Sequence, residues 1–215
     1  MSEKNIQQQS SEDAIADLKP NKIYFLDSLS GDFSDELRVL DLSSAVATGG
    51  YVGNLTKAFT KDVQQVAKVR KNESSTWAFE LGRKTFSSKM QFHDAKAGGN
   101  VVAELDMAIL KQWGAWAMSF PEQSPHSSHD IEIRPVGIWK KEETFVKDSI
   151  SYLWDLSGPG KSGKLYQVKD EKKVLVAEFV AKRWFVNNCV LVLDSELLDE
   201  VVVLASCVAV LNRQT

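Results

Sequence analysis

Residues Gly158-Pro-Gly-Lys-Ser-Gly-Lys-Leu165 carry the spacing Gly-x-Gly-x-x-Gly and come within one residue of a phosphate-cradling P-loop. A P-loop requires Ser or Thr where Leu165 stands, because that hydroxyl ligates magnesium. It also requires a strand before and a helix after, so that amides at the helix N-terminus meet the phosphates. Leu165-Tyr-Gln-Val168 has the composition of a strand. The expected structure is therefore a flexible hairpin loop, from which Lys161 and Lys164 can meet an anion without nucleotide chemistry.

His126-Ser-Ser-His129-Asp130 could offer two imidazoles and a carboxylate to a metal. A structural zinc site takes four ligands, and no fourth follows in the chain, since Cys189 and Cys207 lie far along it in apolar runs. A polar surface loop without metal is expected. For nucleophilic catalysis the imidazoles are His93, His126 and His129; there is no Gly-x-Ser-x-Gly elbow, and neither cysteine has an activating context. Glu142-Glu143 and Asp170-Glu171 flank lysines and read as solvated turns rather than acid/base pairs. The expectation is a non-enzymatic protein with no cofactor.

Basic residues gather in the second half at Lys140-Lys141, Lys161, Lys164, Lys169, Lys172-Lys173 and Lys182-Arg183-Trp184. Loops at one end of a β-barrel converge, so several of these can form one cationic patch. An indole beside cations suits a membrane interface. Lys161, Lys164, Lys182, Arg183 and Trp184 are therefore the candidate ligand-binding residues. The competing reading is that strand-flanking lysines protect edges and confer solubility, with Glu142, Glu143, Asp170 and Glu171 breaking up the charge. Trp113-Gly-Ala-Trp116 reads as core or barrel rim.

Period-two alternation supplies the elements that would hold these residues. Trp77, Phe79 and Leu81, then Met90 and Phe92, then Val101, Ala103 and Leu105, each alternate with more polar neighbours. Lys22–Leu26, Ala115–Phe120, Ile131–Arg134, Phe145–Lys147, Ser149–Leu156, Lys164–Val168, Val174–Val180 and Cys189–Asp194 extend the series. Residues 37–71 show no sustained period, and short irregular strands or a short helix are expected there. From Val201 to Leu211 only Ser206 and Cys207 carry a polar group, so a helix over about 195–212, capped by Asp194 or Ser195, has no wet face and needs protein on every side. Its apolar run is too short for a bilayer. The predicted fold is mainly β: a closed antiparallel barrel of about ten to twelve strands enclosing that hydrophobic C-terminal helix. Closure removes exposed edges, and a lumen this wide must be filled.

The 215 residues read as one barrel domain over 21–215 behind a disordered polar tail at 1–20. A net charge of −3 disfavours bulk nucleic-acid binding. The N-terminus lacks the apolar core of a secretion signal, and two cysteines make no disulfide framework, so a cytoplasmic or nuclear location is expected.

The order of elements resembles the tubby C-terminal-like superfamily, which includes the tubby proteins and, by proposed fold similarity, the phospholipid scramblases. The resemblance rests on Tyr152-Leu-Trp-Asp, Lys164-Leu-Tyr-Gln-Val, Val176-Ala-Glu-Phe179, Val190-Leu-Val-Leu-Asp194 and the helix through Leu211-Asn-Arg, and covers about 76–213. It is closest to small fungal members in which a strand ending in Asp runs into the buried helix. The resemblance implies a tubby-like barrel that binds an anionic phospholipid (phosphoinositide) headgroup or a protein partner, peripheral at a membrane surface. No headgroup-binding residue of the tubby proteins aligns onto this chain, and the cysteine-rich segment and proline-rich N-terminal region of the scramblases are absent. A barrel enzyme with a small-ligand pocket and an interaction scaffold acting through its tail are the alternatives.

Overall fold

Apolar alternation becomes the wall of a barrel. The computed structural model describes residues 17–28, 36–83, 89–96, 98–107, 114–137, 140–170, 172–182 and 188–213. Among them are the strands β1 (Lys22–Ser28), β2 (Glu36–Asp41), β3 (Trp77–Arg83), β4 (Lys89–Asp94), β5 (Val101–Met107), β6 (Trp116–Ser119), β7 (Ile131–Pro135), β8 (Glu142–Lys147), β9 (Ile150–Asp155), β10 (Lys161–Lys169), β11 (Lys172–Lys182) and β12 (Asn188–Leu193). Each pairs antiparallel with its chain neighbours, and β1 closes on β12 with Lys22 opposite Leu193 and Asp27 opposite Asn188. The result is the closed antiparallel barrel that the alternation predicts, at the upper end of the expected strand number. In β7 the rule is plain: Ile131 and Ile133 are buried, whereas Glu132 and Arg134 are exposed.

The C-terminal helix α2 (Glu200–Arg213) packs its apolar run against the inward side chains of the wall. Every residue from Val201 to Leu211 is at most 1% exposed, and all but Ser206 form one apolar cluster with Leu26, Phe92, Leu105, Met118, Trp154, Phe179 and Leu191 from strands around the barrel. Ser206 does not go unpaired there: Trp154 Nε1 donates to its Oγ at 3.1 Å, and its hydroxyl donates to the Val203 carbonyl. Side-chain contacts to α2 define two mouths. At the near mouth, Tyr24 donates to Glu200, and Lys22 Nζ lies 3.3 Å from the same carboxylate. At the far mouth Arg213 meets Glu143 of β8 at 3.2 Å.

The helix starts later than the sequence predicts. Asp199, not Asp194 or Ser195, is the cap: its Oδ1 accepts from the amides of Val201 at 2.9 Å and Val202 at 3.3 Å. Asp194 instead closes a turn by accepting from Glu196 N, and Ser195 bonds to Asn21. Two capping-type aspartates five residues apart satisfy the same local rule. The turn that carries the chain from β12 in the wall into the lumen uses the first of them.

A second, smaller core lies outside the wall. The segment between β2 and β3, which shows no clear period, contains a fourteen-residue helix, α1 (Lys57–Arg70), and β2 itself begins within the acidic stretch that precedes it. Thr56 caps α1 by accepting from Phe59 N at 3.1 Å. Phe59, Val63 and Ala67, spaced at helical intervals, pack on the outward residues Ile23 and Phe25 of β1 and Val190 and Val192 of β12. Leu18, inside the stretch read as a tail, is buried in this same core, while residues 1–16 lie outside the described ones. No helix among the described residues is long and apolar enough to cross a membrane.

Candidate functional site

α1 presents two different stripes. Phe59, Val63 and Ala67 face the wall, and Lys57, Lys61, Gln64 and Lys68 run along the helix at i, i+4, i+7 and i+11 on a neighbouring flank. That flank borders a groove of about 530 Å³ whose opposite side is Val180 and Lys182 of β11, with Leu55 and Thr60 at its upper end. The volume lies within the range of small-ligand sites. Four lysines thus converge from two elements, and among the described residues no carboxylate lines the groove. Among the described residues none of the four has an ion-pair partner.

One buried acid, Glu178, fixes this layer on the wall without lining the groove. Glu178 of β11 points outward, yet is covered, and its Oε2 accepts from Tyr51 Oη at 2.9 Å and from Leu55 N at 3.1 Å. Burial and the Glu178 charge push the Tyr51 phenol well above its ordinary value, so it stays a donor. Asp27 of β1 lies in an adjoining recess of about 280 Å³ with Lys68, Lys71, Lys182 and Asn188. Burial raises its pKa, and Lys71 and then Arg38 pull it partly back. Gln64 reaches across to Asn188, Nε2 to Oδ1 at 3.4 Å, tying the polar flank to β12.

Of the five residues expected to form the site, the three described ones, Lys161, Lys164 and Lys182, do not line one cavity. Lys182 lies on the groove; Arg183 and Trp184, the next two in sequence, fall outside the described residues. Lys161 and Lys164 are both on β10, three residues apart, and strand geometry sends them to opposite faces. Lys161 lines the far mouth beside Arg213. Lys164 stands in register between Asp155 and Glu178. Lys169, Lys172 and Lys173 turn away at the other end of the same hairpin, where Lys173 lies 5.7 Å over the Tyr166 ring. Lys57, Lys61 and Lys68 were missed because the short helix expected as one alternative within 37–71 was given neither bounds nor a face. The signal was present in Thr56 ahead of Phe59, Val63 and Ala67, a cap followed by an apolar face at helical spacing.

The remaining motifs resolve into structural roles. The glycines of 158–163 serve turn and packing geometry: Gly160 has φ +73°, and a Cβ on Gly163 would come within 2.5 Å of Phe179 and 2.7 Å of Leu156. β10 follows as a strand, where a P-loop requires a helix. His126 Nδ1 lies 3.1 Å from Asp199 at the α2 cap, and His129 faces Asp148, so the two imidazoles address different carboxylates. Among the described residues no group of three His, Cys, Asp or Glu side chains is placed to hold a metal. Cys189 and Cys207 are both buried and free, and burial, then the neighbouring Cys207, drives the Cys189 thiol pKa upward. Trp116 is core, and Trp113 lies outside the described residues.

Fold and groove together define a class: a twelve-stranded antiparallel barrel with a C-terminal helix and an external lysine-lined groove. No family model, curated protein or solved structure matches this chain.

Proposed function

We propose that the protein is a non-enzymatic binding module that takes an anionic phospholipid headgroup into the groove between α1 and β11. The observation that carries this reading is the convergence of Lys57, Lys61, Lys68 and Lys182 on one concave surface that no carboxylate lines among the described residues. Lysines kept only for solubility have no reason to face one another, since their mutual repulsion costs stability unless an anion relieves it. The resemblance to tubby proteins, which bind phosphoinositides through surface lysine and arginine, supports the same ligand class. Arg183 and Trp184 directly follow Lys182 in the chain, an arginine and an indole of the types that suit a membrane interface.

Each basic residue near an anionic membrane surface contributes about 1 kcal/mol, in a salt-sensitive way. Purified protein should therefore sediment with liposomes containing phosphoinositide but not with neutral phosphatidylcholine liposomes, and raising the salt should weaken binding. The double variant Lys61→Glu/Lys182→Glu should bind more than about tenfold more weakly while keeping the melting temperature. Absence of binding to any anionic membrane would remove the lipid reading and direct the search to an acidic protein partner.

A further inference from the structure

The far mouth is a second concave site, and its chemistry differs from that of the groove. A cavity of about 350 Å³ opens there between the β7–β8 and β9–β10 connections, lined by Lys140, Lys141, Lys161 and Arg213 with Glu142 and Glu143. Lys140 and Glu142 lie 4.0 Å apart on the exposed rim. Glu143 is different: it is only 2% exposed and its Oε1 lies 3.2 Å from Arg213 Nη1. Its Oε2 is buried, with no hydrogen-bond donor among the described residues. Burial raises the Glu143 pKa, and Arg213 opposes the rise.

An unmatched buried carboxylate oxygen is costly, and such groups in folded proteins mark strain, function or a missing polar partner. The pair also orients Arg213: one edge of its guanidinium is held by Glu143, while the side chain still lines the cavity, where remaining N–H donors can form a fork for an oxyanion. Among the described residues four cations against two carboxylates make the lining net positive, which disfavours an ammonium as the donor to Glu143 and favours a neutral donor, of which a hydroxyl is the simplest. We infer that the far mouth binds a small hydroxylated anion, a phosphorylated polyol whose acidic group meets Arg213, Lys141 and Lys161 while a hydroxyl donates to Glu143. Nothing in this site depends on the α1 groove or on a membrane.

Calorimetric titration of the full chain tests the inference with three probes: glucose 6-phosphate, inorganic phosphate and glucose. Glucose 6-phosphate should bind about tenfold more tightly than inorganic phosphate, and glucose alone should give no saturable heat. Lys161→Ala should weaken both phosphates. Glu143→Gln should bring glucose 6-phosphate to the affinity of inorganic phosphate, a selective loss that a merely unfolded mouth would not produce. Lys61→Glu/Lys182→Glu should leave glucose 6-phosphate binding unchanged, separating this site from the groove. No saturable binding of either phosphate by wild-type protein with a normal melting curve overturns the inference. Equal affinities for the two phosphates, or loss of binding in the groove variant, also overturn it.

Discussion

α1 and α2 are each fourteen residues long and lie on opposite sides of one β-wall, yet almost nothing about them is alike. α2 buries eleven consecutive residues; α1 buries three. The ends of α2 are held by paired charges, Glu200 with Lys22 and Arg213 with Glu143. α1 keeps Lys57, Lys61 and Lys68 along a flank that borders a groove. A helix enclosed on all sides must give its whole surface to packing. A helix lying on a wall needs only one stripe for attachment, and its other stripes are free to carry function.

The sharpest way to break this contrast is to place a charge in the enclosed helix. Val203→Asp introduces an unpaired carboxylate where Val203 is fully buried, and the cost should be several kcal/mol, enough to unfold many domains. Circular dichroism and solubility check it, and a soluble, cooperatively melting variant would contradict the packing of α2. Phe59→Ala on the outer helix should be milder, about 3 kcal/mol, because it empties one pocket of the second core and leaves the lumen cluster intact. Its denaturation curve should shift without loss of the barrel signal, and hydrogen exchange in α1 should rise before that in α2.

The two caps allow a closer comparison. Thr56→Ala and Asp199→Ala each remove a side-chain acceptor from the first turn and should cost about 1 kcal/mol by chemical denaturation. Asp199→Ala should cost more than Thr56→Ala, since it also frees His126.

The smallest effects concern pH. Glu143 inside the far mouth and Asp27 under α1 are both raised above ordinary carboxylate values by burial. For such a group the folded state favours the neutral form. Its stabilising share is full below the unfolded pKa of about 4 and is lost as the pH climbs through the folded value. Glu143→Gln and Asp27→Asn should each flatten the fall in melting temperature as the pH rises above about 4. Unchanged pH profiles in both variants would show that the fold raises the pKa of neither group.

Alternation and enclosure made most of the wall legible, because a strand with one buried face writes its period directly into the chain. Ile131 and Ile133 against Glu132 and Arg134 need no tertiary information. The extra residue Val176, where register shifts between Leu165 and Tyr166, could not be read that way, since a bulge depends on the partner strand. The site was far less legible. Lys161 and Lys164 read as one loop pair until β10 turned them to opposite faces. Glu143 read as a solvated turn residue, and it is buried against Arg213, seventy positions away.

The sequence by itself determined that the chain would form many short strands and a C-terminal helix with no wet face. Both are local consequences of where apolar side chains recur, and burying them is the dominant favourable term in folding. Tertiary structure alone decided which cations would meet. Lys182 joins Lys57, Lys61 and Lys68 only because α1 folds back over β1 and β12, and Arg213 reaches Glu143 only because α2 runs to the far mouth. Charge along a chain carries no signal of which groups on other elements it will meet. Its meaning is set by what the apolar framework brings within a few ångströms, where the interaction is strong enough to matter.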